Sequence, residues 1–222
     1  MLEYKHMYFE SRAHAGARLA QVLAEKYRYE NCAVVAVADG AVLVGEQVAA
    51  ALHSVLTLMM TQEIEIPGEN MSFGGISQDG KFTFNGMFSV GEVEGYTSEY
   101  FGYLEEKKRE AFQQMNRLLG DGGLIDSDLL RDHTVILISD GLDNGVSLDI
   151  AADFLKPIRI NRLVVAAPVA SVQAINRLHL IADEIHLLDV RENYLGTNHY
   201  YNQNDIPSHD DTIAKINNIV LN

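Results

Sequence analysis

The chain has 222 residues, of which 47% are apolar and 22% charged, a globular composition long enough for one large domain and too short for two of ordinary size. Seventeen Lys and Arg against 31 Asp and Glu leave a formal net charge of −14, a field that repels nucleic acid, anionic membrane surfaces and polyphosphates. Met1 to Glu10 carries charges and aromatics where a signal peptide has an apolar core, no run approaches the roughly 20 apolar residues of a membrane span, and the single Cys32 reads as a buried thiol. The expectation is a cytoplasmic protein with neither nucleic acid nor membrane as partner, and with a homodimer left open.

Arg12 to Lys26 is predicted to be an amphipathic helix, because Ala15, Leu19, Val22 and Leu23 recur at helical spacing. Cys32 to Ala38 (CAVVAVA) has the apolar run of a strand buried on both faces and ends at the turn signal Asp39-Gly40. An apolar helix over Val44 to His53 and a strand over Val55 to Met60 follow. Within MSFGGISQDGKFTFNG, two short runs around Asp79-Gly80 predict a β-hairpin. Ser98 to Leu119 is predicted as one long polar helix with Phe101, Leu104, Phe112, Met115 and Leu119 inward and Gly120 as its C-cap.

From Thr134 the chain alternates again: strand Thr134 to Ile138, helix Val146 to Leu155, strand Leu163 to Pro168, helix Val172 to Ile181, strand Glu184 to Leu188, and a final segment Ile213 to Leu221 opened by Asp210-Asp211. Such alternation predicts an α/β fold, a mostly parallel sheet with helices on both faces, and ligands bind such sheets at the carboxyl ends of the strands.

The segment VILISDGLDNGVSLDIAADFL is the most informative. A buried strand delivers Ser139 and Asp140 to its carboxyl end, a loop containing Gly141, Leu142, Asp143, Asn144 and Gly145 follows, and a helix begins at Val146 and Ser147. Glycines turn backbone N–H groups inward and a helix N-terminus favours an anion, so the arrangement suits a phosphate. The same pattern also serves plain turn chemistry in many α/β proteins.

VILISDGLDNGVSL resembles the site loop of type I phosphoribosyltransferases, which in one bacterial branch reads approximately VILVDDGIATGATM. Further segments match that branch in the same order. ESRAHAGARLAQVL is similar to its opening helix, VVAVADGAVLVGEQVA to its strand, PRGG turn and helix, and IPGENMSFGGISQDGKFTFN to its Pro-Gly loop and hairpin hood. LVVAAPVA and YLGTNHYY resemble its last core strand and its C-terminal tyrosine region. The resemblance covers nearly the whole chain as one domain. It implies transfer of a 5-phosphoribosyl group between diphosphate and a nucleobase. Asp140 would be the catalytic acid on the ribose hydroxyls, residues 139–147 the phosphoribosyl cradle, Asp39, Gly40 and Ala41 the pyrophosphate turn, and Mg²⁺ a cofactor held by Asp140.

The departures fall on the chemistry. Ser139 and Asp140 stand where the family has two acids, and Asn144-Gly145-Val146-Ser147 where it has Thr-Gly-x-Thr. Asp143 replaces a small neutral residue, and a carboxylate a few ångströms from a phosphate costs on the order of 1 kcal/mol or more. Asp39 replaces the turn's cation, and Gln62, Glu63 and Glu65 occupy the stretch that carries the family's lysine. The alternative to a transferase is therefore a catalytically impaired homologue that keeps a nucleotide or phosphate pocket as a binding or regulatory module.

Arg12 either meets a ligand phosphate or pairs with a surface acid. Tyr194, Tyr200 and Tyr201 either stack on a base or seal the sheet edge, with packing favoured. The histidines lack metal-ligand spacing. Without a Gly-x-Ser-x-Gly elbow, a Gly-Lys-Ser/Thr loop or paired CxxC motifs, hydrolase, P-loop ATPase and zinc-module readings lose their usual support.

Overall fold

Five of the short apolar runs pair side by side. A computed structural model describes residues 8–69, 71–119 and 125–220. In chain order its elements are α1 (Arg12–Tyr27), β1 (Cys32–Val37), α2 (Asp39–Leu52), β2 (Val55–Met59), β3 (Thr61–Glu65), β4 (Ser72–Ser77), β5 (Phe82–Phe84), α3 (Val90–Glu99), α4 (Phe101–Leu119), β6 (Thr134–Ile138), α5 (Val146–Leu155), β7 (Arg162–Ser171), α6 (Val172–Leu178), β8 (Glu184–Arg191) and α7 (His209–Val220). The main sheet has the order β2-β1-β6-β7-β8 and every pairing in it is parallel. β6 is therefore central, which explains why Val135 to Ile138 are wholly buried.

Strand side chains alternate between two cores. Val34, Ala36, Ile136, Ile138, Val164 and Ala166 pack with α1 and α2, whereas Val35, Val37, Val135, Leu137, Val165 and Ala167 pack with α5 and α6. Between α1 and α2 the contact is backbone to backbone, since a Cβ on Gly16 would stand 2.8 Å from the Cα of Val44. The predicted hairpin forms from β4 and β5, and β3 joins it to make a three-stranded antiparallel hood. Lys81 and Thr83 of the hood both reach Asp153 of α5, at 2.7 and 2.8 Å.

Several boundaries differ from expectation. α2 begins at Asp39 rather than Val44, because Ala38 takes a left-handed φ of 73° and no side chain caps the helix. The long polar helix is α4, starting at Phe101 rather than Ser98, and an unpredicted helix, α3, precedes it and meets it at Tyr100. Leu104 and Met115 of α4 are buried as predicted, but Phe101 is 62% and Phe112 43% exposed. The expectations for Met1 to Met7, the Leu119 side chain, Gly120 and Leu221 lie outside the described residues. Among the described residues no helix is long and apolar enough to cross a membrane.

Candidate functional site

β6 ends by turning Ser139 and Asp140 into a loop tied down by β7. Ser139 Oγ donates to the Gly141 carbonyl at 2.9 Å and accepts from its N–H at 3.3 Å. Leu142 runs beside β7, its N–H donating to Val169 at 3.0 Å and its carbonyl accepting from Ser171 at 2.8 Å. The Ser171 hydroxyl donates to the Asp143 carbonyl. Asn144 Oδ1 accepts the Val146 N–H at 2.9 Å, and Gly145, with φ of 75°, leads into α5. Among the described residues, the amides of Asn144, Gly145 and Ser147 find no protein acceptor. The loop is thus held rigidly while its N–H groups stay available beside the positive end of a helix.

Asp140 is engaged from three sides. Arg12, wholly buried at the start of α1, donates from Nε to Asp140 Oδ2 at 2.7 Å. The rest of its guanidinium reaches Asp205 at 3.2 Å, Asn204 at 3.5 Å and Asn198 at 2.5 Å, and it stacks 4.6 Å from the Tyr201 ring centre. Tyr201 in turn donates its hydroxyl proton to the Asp140 carbonyl at 2.5 Å. On the third side lies the first turn of α2, where a Cβ on Gly40 would stand 2.4 Å from Asp140 Oδ2. Only glycine leaves room for that carboxylate. Burial pushes the Asp140 carboxyl above its ordinary value, and the Arg12 guanidinium pulls against the rise.

Asp39 opens the same turn and carries a hydrogen bond from His209 Nδ1 of α7 at 3.0 Å. Above the loop, Glu63 of β3 accepts from Ser72 at 3.1 Å and bonds with Asn144. Burial raises Glu63 most, and the neighbouring Asp143 and Glu65 carboxylates add to the rise against those two hydrogen bonds. Behind the loop, Arg177 of α6 is buried with Asp149 of α5 and donates to Asn85 at 2.9 Å. Burial lowers Arg177 to about 10, with Glu63 opposing the fall.

The residues expected on the site loop, Ser139 to Ser147, lie together with Asp39, Gly40 and Ala41, because β6 and β1 are neighbours and both loops leave the same sheet end. Arg12 joins them, paired with the partly exposed acids Asp140 and Asp205, whose side chains are 15% and 23% exposed, and Glu63 faces the loop from the hood. Tyr200 and Tyr201 are 2% and 6% exposed and pack as expected. Sequence reading missed Asp205, Asn198, His209, Asp149 and Arg177. No local pattern marks them, since their partners lie far along the chain. The oxygens around Asp140 already hold a guanidinium, so the residues present do not fit the Mg²⁺ that the resemblance implies there. Among the described residues no group of three or more His, Cys, Asp or Glu is arranged to hold a metal.

The fold is shared with a solved protein, and two further structures are more distantly similar. The protein TT1426 from Thermus thermophilus is 24% identical, with 96% of this chain and 99% of that one aligned at a TM-score of 0.74. A purine phosphoribosyltransferase from Pyrococcus horikoshii aligns over 87% of this chain and 92% of its own at 13% identity and a TM-score of 0.47. A hypoxanthine phosphoribosyltransferase from Staphylococcus aureus aligns over 84% and 77% at 12% identity and a TM-score of 0.47. The model of the phosphoribosyl transferase domain matches residues 7–179, well over half the chain, and the protein belongs to that family.

Proposed function

We propose that the protein is a single phosphoribosyltransferase-like domain that binds the 5′-phosphate of a ribosyl ligand, a ribose phosphate or a nucleoside monophosphate, on residues 143–147. The observation that carries this reading is the rigid loop whose Asn144, Gly145 and Ser147 amides lack protein acceptors at the start of α5. Ser147 adds a hydroxyl to the cradle. Asp140, at the neighbouring strand end, is the acid placed to meet ribose hydroxyls. Binding without transfer is the form of this activity that the site favours. Asp39 occupies the turn where the family presents a cation, and Glu63 and Asp143 add carboxylates around the loop. Two carboxylates facing a diphosphate cost several kcal/mol at an effective dielectric near 20, roughly orders of magnitude in affinity.

Family membership favours the second reading, a transferase moving the 5-phosphoribosyl group between diphosphate and a nucleobase. A cytoplasmic location and a homodimer accompany either reading, and sedimentation tests the dimer. Calorimetric titration of ribose 5-phosphate, nucleoside monophosphates and phosphoribosyl diphosphate, each with and without millimolar Mg²⁺, separates the two functions. The binding module predicts that a monophosphate binds and that diphosphate adds no affinity. Tight diphosphate binding followed by pyrophosphate release in the presence of a nucleobase would establish the transferase. Absence of monophosphate binding, or monophosphate binding unaffected by Asn144→Ala and Ser147→Ala, would remove the cradle from both.

A further inference from the structure

Arg12 is surrounded by oxygens. Its three guanidinium nitrogens reach two carboxylates, Asp140 and Asp205, and two carboxamides, Asn198 and Asn204, while its backbone N–H donates to both oxygens of Asp205 at 3.1 and 3.3 Å. Carboxylate and carboxamide oxygens converging from separate segments form the donor set that a hard divalent ion takes. Here the set holds a side chain. A guanidinium stays charged at any physiological pH and its planar fork reaches several acceptors at once, which a lysine ammonium does not.

The surroundings hold that cation in place. Asp140 Oδ2 is bonded to Arg12 on one side and faces the backbone of Gly40 on the other, so its carboxylate is wedged between α1 and α2. The Tyr201 ring closes one face of the guanidinium. A divalent ion entering this set would lie a few ångströms from a fixed positive charge.

We propose that Arg12 is the resident cation of the site, taking the place on Asp140 where a divalent metal would sit and tying residues 198–205 across the end of β6, so that ligand binding here needs no metal. The role is one of positioning and charge compensation. It differs from a plain structural ion pair in its consequence, because the oxygens it occupies become a metal site once it is removed.

Mn²⁺ titration followed by electron paramagnetic resonance tests this without reference to any activity. Wild type and Asp140→Asn are expected to bind Mn²⁺ alike, since the acidic surface contributes equally to both. Folded Arg12→Met is expected to gain one further Mn²⁺, which disappears in Arg12→Met/Asp140→Asn. Wild type binding one more Mn²⁺ than Asp140→Asn overturns the proposal, and so does a folded Arg12→Met that gains none. If Arg12→Met fails to fold, the comparison of wild type with Asp140→Asn decides. A second measurement rests on the ribose-phosphate reading given above. The affinity for ribose 5-phosphate is expected to agree within about twofold between EDTA and millimolar Mg²⁺, and a gain of about tenfold or more with Mg²⁺ overturns the resident-cation role. If ribose 5-phosphate binds in neither condition, the phosphate cradle fails, and the Mn²⁺ comparison still decides what Arg12 does.

Discussion

His209 Nδ1 lies 3.0 Å from the Asp39 carboxylate while its Nε2 lies 2.8 Å from the Leu118 carbonyl, so both ring nitrogens face acceptors and the doubly protonated imidazole is favoured. The acid of the α2 turn is thereby tied to α7, from 170 residues further along the chain.

This pair predicts a pH dependence. Burial draws His209 down, but the hydrogen bonds to Asp39 and Leu118 outweigh it, with Asp39 and Asp210 charges adding to the rise above the ordinary 6.5. A group raised on folding stabilises fully below about 6.5, and that contribution is lost as pH climbs through the folded value. Wild type should exceed His209→Ala by about 1–2 kcal/mol near pH 5.5, and the gap should narrow at pH 9. Thermal melts of both proteins at the two pH values check it, and a constant gap contradicts the doubly donating imidazole.

Arg177 and Asp149 are buried together, with side chains 2% and 10% exposed. Removing one partner leaves an uncompensated charge under the loop, and Arg177→Met should cost about 3–5 kcal/mol in urea unfolding. The double change Arg177→Met/Asp149→Leu should recover most of that loss, because neither charge then remains. A single change costing less than about 1 kcal/mol would show the pair to be solvated.

Two glycine replacements should move in opposite directions. At Gly40 a methyl group displaces Asp140 Oδ2, and Gly40→Ala should cost about 1–3 kcal/mol. In α3, by contrast, a Cβ on Gly95 meets nothing within 4 Å, so Gly95→Ala should add about 0.5–1 kcal/mol through helix propensity alone. Denaturant midpoints of the two variants against wild type report both, and a neutral Gly40→Ala would mean that the carboxylate has room to retreat.

Cys32 is 5% exposed, and burial pushes its thiol up to about 11, with Glu30 adding to the rise. Since the thiolate is the reactive form, native protein at pH 8 should react with a thiol reagent at least about a hundredfold more slowly than unfolded protein. Comparable rates would place the thiol at the surface.

The sheet was legible because its signal is local. Thr134–Ile138 is a continuous β-branched and leucine run with a turn on either side, and β6 and α5 match their predicted limits residue for residue. β3 is harder to see, since TQEIE sets two acids and one buried residue, Ile64, in an outer strand that only the hood sheet makes regular. α3 carries a Ser89–Glu92 capping box but buries no residue, so the apolar periodicity that would reveal it is absent. The loop Ser139 to Ser147 could be placed at a strand end from its own residues, yet the identity of its partners could not. Arg12 meets Asp140 across 128 residues and Asp205 across 193, and no spacing rule pairs side chains at such distances.

Arg12 and Asp39 are the first residues of α1 and α2, and about one turn inside those helices Gly16 lets the two backbones touch. A side chain at position 16 would act as a shim, prising the helix starts apart and changing the width of the slot in which Asp140 is clamped between them. Position 16 contacts no candidate ligand group, so a search confined to site residues passes over it. Sequence drift there would nevertheless retune the site as surely as a change at Asp140, with Gly16→Ala the smallest such step.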